Sequence, residues 1–409
     1  MTTATTGTRK RTGAKAGGDG AKAGPARRDR STNAAPVIGI TAGSLVLLGL
    51  IMILSASSVT SFASYGSSFI FFKRQLLWAA IGLAGFFAFA SLDYRRLKGF
   101  GYPAMFVIFG LLVAVLVPGV GLEAGGSARW LDLGPLSFQP SEFAKLALIL
   151  FCADIFARKS EKSLRKPAHT VIPVVPVLGV LAVLVMLQPD LGTTLLIGSI
   201  GIGMLFVAGA PFLHLIPIVV ASAAAATVVA FSEDYRRARI LAFRDPWADP
   251  LNTGYQAIQS LIAMGSGGWV GVGLGSSRQK WSYIPDAHTD FIFAILGEEL
   301  GLLGTMAVLA TFAFLTYLGI KTARSAPDRF GMLLASGVTI WIALQALVNM
   351  GAVTGALPIT GVPLPLVSFG GSSLVVSLTA VGILTSIARR TPAGAARRKR
   401  RLGGAAEQS

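Results

Sequence analysis

The sequence predicts an all-α polytopic membrane protein with about ten transmembrane helices and a long extracytoplasmic loop between helices seven and eight. Hydrophobic residues make up 53% of the 409-residue chain, and charged residues only 13%. The mean hydropathy of +0.65 is too high for a soluble chain of this length. Apolar runs of about 20 residues, long enough to cross a hydrocarbon core, recur from residue 37 to residue 388.

The distribution of positive charge predicts the orientation. If the N-terminus faces the cytoplasm, the inner segments hold 26 Lys and Arg residues and the outer segments hold 9. This asymmetry follows the positive-inside rule and places both termini in the cytoplasm. The net charge of +17 is therefore explained by the membrane, and nucleic acid is not expected as a partner.

Ten apolar runs are the predicted spans, and the boundaries near residues 188–190 and 208–211 are the weakest, because Pro and Gly join neighbouring spans there. The spans are 37–59, 75–92, 100–119, 140–157, 170–188, 190–209, 212–231, 290–320, 328–352 and 364–388. Together they make one membrane domain, 37–390.

The two ends of the chain are predicted to be basic cytoplasmic tails, 1–36 and 391–409. After Met1 the first tail has no large apolar side chain before Val37, so it cannot bury enough apolar surface to fold. The second tail is expected near anionic lipid headgroups. The single Cys152 excludes an intrachain disulfide and a cysteine-based metal cluster.

Polar residues collect on the predicted outer side, first around residues 125–145. Pro140 suits the first turn of a helix. Glu142 and Lys145 are three residues apart and so share a helical face. They are predicted either to form a local ion pair or, with Arg129, to present positive charge to an anionic group such as a phosphate.

The predicted loop 232–289 is the second polar region. Residues 255–264 have the spacing of a short amphipathic helix, expected to lie in the headgroup plane. Six glycines between residues 265 and 275 follow. An ordered loop of this length is more often functional than a simple connector.

Residues 354–373 form the third region, with three prolines and four glycines at membrane depth. Irregular backbone is tolerated there only where it is buried in protein or lines a cavity. The segment is therefore predicted either to line a substrate cavity or to be a re-entrant hairpin that only packs.

Asp290 stands at the start of the eighth span, where a carboxylate suggests a functional site. The alternative is that Asp290 and Thr289 cap the helix. His288 could orient Asp290, although a solvated loop histidine is the favoured interpretation. Glu298 and Glu299 point about 100° apart, so one of them is expected to have an internal structural role.

Four blocks of sequence, in this order along the chain, resemble the SEDS family of peptidoglycan glycosyltransferases. The blocks are Arg129-Trp130 with Gln139-Pro-Ser-Glu-Phe-Ala-Lys145, Gln188-Pro-Asp-Leu-Gly-Thr193, Pro285 through Gly301, and Gly351 through Ser373. Arg278-Gln-Lys-Trp281 and Ala294-Ile-Leu-Gly-Glu-Glu299 are more similar to the division branch, FtsW, than to the elongation branch, RodA.

The resemblance implies ten helices and polymerisation of lipid II at the outer face of the bacterial cytoplasmic membrane, at the division septum. It implies Asp290 as the essential catalytic residue. The implied partners are lipid II, a class B penicillin-binding protein of the FtsI transpeptidase type, and other membrane proteins of the divisome. The predicted substrate-binding residues are Arg129, Glu142, Lys145, His288, Thr289, Ser368, Gly370 and Ser372.

Transfer from a polyprenyl pyrophosphate needs a base at the acceptor hydroxyl and positive charge at the leaving group. Asp290 is the expected base, and Arg129 with Lys145 the expected charge. No cofactor is certain from the sequence; a divalent cation, Mg²⁺ or Mn²⁺, could assist the leaving group. A lipid II flippase and a non-catalytic divisome scaffold are the alternative functions.

Overall fold

The computed structural model describes residues 34–124, 127–132, 137–281 and 287–391. Short 3₁₀ helices lie at Tyr94–Leu97 and Pro246–Ala248. The α-helices are α1 (Ala34–Tyr65), α2 (Ile70–Ser91), α3 (Gly101–Leu116), α4 (Pro140–Ala157), α5 (Glu161–Leu164), α6 (Pro167–Met186), α7 (Leu191–Ala208), α8 (Phe212–Phe231), α9 (Asp234–Arg244), α10 (Tyr255–Ser266), α11 (Ile292–Arg324), α12 (Arg329–Val353) and α13 (Gly371–Arg390).

Each of the ten predicted spans corresponds to one long helix, which confirms the all-α membrane class. Among the described residues, eight helices are long and apolar enough to cross a membrane. The other two spans are α3, which has only 16 residues, and α4, which carries Glu142, Lys145 and Asp154. The short helix α10 confirms the predicted amphipathic helix at 255–264.

Several boundaries differ from the prediction. Helix α1 begins at Ala34 rather than at residue 37, and it continues to Tyr65. The predicted span 364–388 is wrong at its start, because α13 begins at Gly371. Pro363 and Pro365 cannot donate backbone hydrogen bonds, so the chain before α13 is irregular. Most of the two predicted tails, residues 1–33 and 392–409, lies outside the described residues.

A small antiparallel sheet precedes α4, which the all-α prediction did not include. Its strands are β1 (Gly121–Ala124), β2 (Ser127–Asp132) and β3 (Ser137–Phe138), with β2 in the middle. Strand β2 carries Arg129. Strand β3 leads almost directly into Pro140 at the first turn of α4, where a missing backbone N–H is harmless. The sheet therefore fixes the direction from which the chain enters α4.

The helices pack around α4, α12 and α13, whose side chains are mostly buried. Helix α13 packs on α2 and α1, whereas α12 packs on α11, α4 and α7. Helix α8 lies at the periphery and buries little of its surface. Helices α4 and α12 carry four of the buried polar side chains of the site described below: Glu142, Lys145, Gln345 and Asn349.

Helix α11 is broken at Gly301, which has φ +66° and ψ −165°. The break leaves backbone groups of α11 without hydrogen-bond partners in the helix. The glycine-rich segment 267–273 supplies the missing partners. The hydrogen bonds are Val272 N to Glu298 O (3.0 Å), Gly273 N to Glu299 O (3.1 Å), Leu302 N to Gly268 O (2.9 Å) and Leu303 N to Trp269 O (3.1 Å). The segment after α10 thus packs directly against the break, so that the irregular backbone is satisfied by protein.

Replacing Gly301 with Ala is expected to destabilise the protein by about 2–4 kcal/mol, through backbone strain and overpacking. A Cβ at this position would lie 2.4 Å from Gly271 N and 2.7 Å from the carbonyl carbon of Trp269. The control is Gly179→Ala in α6, where no atom lies within 4 Å of the added Cβ. Equal thermal midpoints for the two variants in detergent would contradict this account of the break.

Cysteine labelling tests the predicted orientation in a Cys152→Ser background. Cysteines at the exposed positions Asn252 and Ser276 are expected to react with a membrane-impermeant thiol reagent added to intact cells. Cysteines at the exposed positions Ala168 and Ser325 are expected to react only after the cells are permeabilised. Labelling of Ala168 in intact cells would invert the topology and move Asp290 to the cytoplasmic side.

Candidate active site

Residues 354–370, between α12 and α13, form an irregular segment that organises the candidate site. Its carbonyl groups at Val362 and Pro363 accept hydrogen bonds from two amide side chains of α12, Asn349 Nδ2 (2.8 Å) and Gln345 Nε2 (2.9 Å). Both amides are buried. These hydrogen bonds satisfy part of the non-helical backbone. Backbone groups left without hydrogen bonds inside a membrane would be energetically costly.

The end of this segment is tied to α2 and α4 through three predicted substrate-binding residues. Gln75 on α2 donates to Ser368 O and accepts from Gly370 N, both at 3.3 Å. Ser372 Oγ accepts a hydrogen bond from Gln139 N (3.0 Å), at the residue before α4. The structure therefore places Ser368 and Gly370 at the end of the irregular segment and Ser372 in the first turn of α13.

Asp290 lies one residue before the N-cap of α11, on a half-buried turn. The N-cap is Phe291, whose own side chain makes no capping hydrogen bond. Asp290 O accepts a hydrogen bond from Asn349 Nδ2 (2.8 Å). A Cβ added to Gly361, where φ is +71°, would lie 3.5 Å from Asp290 Oδ2. The carboxylate thus lies next to the irregular segment.

His288 is enclosed by aromatic rings, so its interpretation as a solvated loop histidine is wrong. Its ring centroid lies 4.7 Å from that of Phe71 and 5.2 Å from that of Phe369. His288 O also accepts a hydrogen bond from Phe369 N (2.9 Å). The two phenylalanines come from α2 and from the irregular segment, so only the tertiary fold encloses the imidazole. Thr289 lies half-buried between His288 and Asp290.

Glu142 and Lys145 form a buried ion pair on α4. Lys145 Nζ lies 2.7 Å from Glu142 Oε1, and both side chains are almost fully buried. Lys145 also donates to Gln345 Oε1 (2.9 Å), and its ammonium lies 5.2 Å from the centre of the Trp341 ring. The predicted local pair is therefore present, and it is connected to α12 as well.

Arg129 on β2 reaches the loop between α6 and α7. Its Nε donates to Gln188 O (2.9 Å) and its Nη2 to Pro189 O (2.6 Å). The residue as a whole is half-buried. These bonds join two of the sequence blocks that carried the family resemblance, the one around Arg129 and the one around Asp190. Asp190 itself caps α7 by accepting from Thr193 N (3.0 Å).

Glu298 and Glu299 both have internal roles, where only one was expected to. Glu298 accepts hydrogen bonds from Ser277 Oγ and from Arg278 N (3.0 Å). Glu299 accepts from Ser55 Oγ on α1 (2.5 Å) and from Ser277 N (3.4 Å). Adjacent helical positions point about 100° apart, yet both carboxylates accept a hydrogen bond from Ser277 in the folded-back loop. They hold residues 277–278 against the break in α11.

Three buried amide residues were not among the site residues predicted from the sequence: Gln75, Gln345 and Asn349. Each makes a hydrogen bond to the irregular segment. A signal was available, because polar side chains inside apolar spans are expensive and usually have a task. Gln345 and Asn349 are also four residues apart, on one face of α12.

A family model for cell cycle proteins of the FtsW, RodA and SpoVE type matches residues 36–392, which is most of the chain. The chain belongs to this family. Stage V sporulation protein E of Bacillus subtilis is 43% identical over 84% of this chain and 94% of its own length. The probable peptidoglycan glycosyltransferase FtsW of Geobacter metallireducens is 41% identical over 87% of this chain and 94% of its own length.

Solved structures with similar sequences agree with the fold. One belongs to a peptidoglycan synthase complex studied for the coordination of polymerization and crosslinking; its TM-score is 0.70 at 33% identity, over 87% of this chain and 98% of that chain. The rod shape determining protein RodA of Thermus thermophilus has a TM-score of 0.64 at 28% identity, over 87% of this chain and 97% of that chain. The resemblance to the SEDS family is thereby confirmed.

Proposed function

We propose that this chain is a peptidoglycan glycosyltransferase that polymerises lipid II into β-1,4 glycan strands at the outer face of the cytoplasmic membrane. Relatives about 40% identical over most of the chain are named as peptidoglycan glycosyltransferases. The family relation supports the reaction class. The arrangement of charged side chains supports the assignment of roles.

The observation that carries these roles is that one short stretch of backbone reaches both charged centres. Asp290 lies against Gly361, and Asn349 joins Asp290 O to the next carbonyl, Val362 O. Pro363 O accepts from Gln345, which in turn accepts from Lys145. A base and a buried cation are thus attached to three consecutive residues.

Asp290 is the general base in this proposal. The donor sugar is α-linked to pyrophosphate and the product is β-linked, so a single displacement with inversion is sufficient. The acceptor hydroxyl gives its proton to the Asp290 carboxylate as its oxygen forms a bond to the donor anomeric carbon. The bond between that carbon and the phosphate oxygen breaks, and polyprenyl pyrophosphate leaves with the electron pair.

Positive charge near the pyrophosphate stabilises its departure. Arg129 and Lys145 are the residues we assign to this task. Arg129 is half-buried. Lys145 is fully buried and already paired with Glu142. Lys145 therefore acts on the pyrophosphate over a distance, by electrostatic attraction. We assign substrate contacts to Glu142, His288, Thr289, Ser368, Gly370 and Ser372 as well.

A divalent cation would find an incomplete set of ligands in the protein. Among the described residues, no group of three His, Cys, Asp or Glu side chains could hold a metal ion. Mg²⁺ commonly takes one or two carboxylates and completes its shell with water and substrate phosphates. Asp290 is the carboxylate that could serve such an ion, and no step above depends on it.

We place the protein in the division branch of the family, with both termini in the cytoplasm and its activity at the septum. The FtsW relatives and the motifs around residues 278–281 and 294–299 support this branch. We propose a class B penicillin-binding protein of the FtsI type as partner, in line with the structural similarity to a peptidoglycan synthase complex. Other divisome membrane proteins complete the proposed assembly.

The test is an assay with purified full-length protein, with and without its penicillin-binding partner, given fluorescent lipid II. Glycan chains resolved on a gel are the expected result. Transbilayer movement of lipid II in proteoliposomes without glycan chains would support the flippase instead. The absence of both activities, with the partner present and bound, would leave the scaffold function.

A further inference from the structure

Three polar or amphipathic side chains lie on one face of α12 and point toward the site. Trp341, Gln345 and Asn349 follow one another at intervals of four residues, which places them on the same side of a helix. Their exposures are 0%, 0% and 2%. Burying an amide is costly unless its hydrogen bonds are made. The described contacts show where the amide nitrogens donate, whereas Asn349 Oδ1 has no hydrogen-bond partner among the described residues.

The orientation of the Gln345 amide is determined by its neighbours. The indole of Trp341 and the ammonium of Lys145 can only donate hydrogen bonds. Both donate to Gln345 Oε1, at 2.7 Å and 2.9 Å. The amide nitrogen must therefore face the other way, where it donates to Pro363 O (2.9 Å). Gln345 thus connects the buried cation to the irregular segment in one orientation only.

Asn349 uses both protons of its amide nitrogen on backbone carbonyls. It donates to Val362 O and to Asp290 O, each at 2.8 Å. Residues 290 and 362 are far apart in sequence, so one side chain holds the turn before α11 against the irregular segment. Asp290 Oδ2 faces Gly361, the residue next to Val362. The position of the carboxylate therefore depends on this bridge.

We infer that Gln345 and Asn349 are a pair of positioning residues, which set the separation between the Asp290 carboxylate and the Lys145 ammonium. The inference rests on the proposed function, in which these two groups serve as base and cation. The two amides are one helical turn apart, and their carbonyl partners are consecutive, so the geometry is set by α12. A displacement of about 1 Å in such a pair costs roughly 10²-fold in rate.

The test replaces Asn349 with Leu, which is similar in volume and lacks both donors. We expect kcat for lipid II polymerisation to fall by about 10²-fold per folded molecule, with KM unchanged. We also expect faster hydrogen–deuterium exchange in peptides covering 287–291 and 358–365. A side chain that only filled space would leave both measurements as in the wild type.

The matched control is Thr339→Val on the same helix. Thr339 is buried and its hydroxyl donates to Ala335 O (2.7 Å) within α12, so the variant also loses one buried hydrogen bond. We expect its kcat and its exchange at 287–291 to match those of the wild type. Wild-type kcat in the Asn349→Leu protein, or an equal loss in both variants, would overturn the inference.

The two readouts separate this inference from the proposed function. If the wild type makes no glycan, the proposed function fails and the catalytic role of the pair fails with it. If the wild type is active and Asn349→Leu is equally active, only the positioning role fails. Unchanged exchange at both segments would show that the bridge does not hold them, whatever the activity.

Discussion

Asp290→Asn is expected to abolish lipid II polymerisation while folding and membrane insertion are preserved. A general base contributes about 10²–10⁴-fold to a rate, and Asn cannot accept the acceptor's proton. The side chain keeps its size and its place against Gly361. The measurement is glycan synthesis per monodisperse molecule, together with the thermal midpoint of the purified protein.

Asp249→Asn is the matched control for this variant. Asp249 is a carboxylate in the segment between α9 and α10, and hydrogen bonds from the Thr253 backbone N–H and the Asn252 side chain hold its pKa below the ordinary value. The control variant should polymerise lipid II at the wild-type rate. If Asp290 served only the helix end, its replacement would cost about 0.5–2 kcal/mol of stability and leave the activity of folded molecules intact. Full-rate synthesis by Asp290→Asn would therefore remove it from the role of base.

The double variant Glu142→Gln with Lys145→Met is expected to fold and yet to lose about 10²–10³-fold in kcat, the scale of one lost electrostatic contact to a developing charge. Removing one partner of a buried pair costs about 3–5 kcal/mol, whereas removing both is often tolerated. The single variants are therefore expected to express poorly, and the double variant is the informative one. Its activity and thermal midpoint should be measured beside the wild type.

The result for the double variant separates two roles of the pair. If Glu142 and Lys145 only neutralise each other inside the bundle, the double variant should turn over lipid II near the wild-type rate. The bonds from Trp341 and to Pro363 would still orient Gln345. Near-normal turnover would assign the pair to structure and leave Arg129 to stabilise the pyrophosphate. A loss of activity with an unchanged thermal midpoint would support the electrostatic role.

The membrane-spanning architecture was predictable because its signals are local. An apolar run of about 20 residues must cross the bilayer as a helix, since no water satisfies its backbone. The ten predicted spans accordingly match ten helices, with shifts of a few residues at most ends. The pairing of Glu142 with Lys145 was also local, because residues three apart share a helical face.

The break in α11 was not predictable from the sequence around it. Gly301 is one of 48 glycines, and glycine is common in membrane helices. The chain can leave the helix there because segment 267–273, some 30 residues earlier, supplies hydrogen-bond partners for the freed groups. The burial of His288 was missed for a similar reason, since Phe71 and Phe369 come from distant parts of the chain.

Composition, hydropathy and local spacing were enough to predict the all-α membrane class, the positions of ten long helices and the candidate residues Asp290, Glu142 and Lys145. How those charged groups are connected depends on contacts between distant parts of the chain. Gln345 and Asn349 bond to carbonyls of a segment without regular secondary structure, and no periodicity predicts which carbonyls an irregular segment presents. Hydrophobic burial is encoded by local pattern, whereas a buried hydrogen bond depends on two distant groups meeting at about 3 Å.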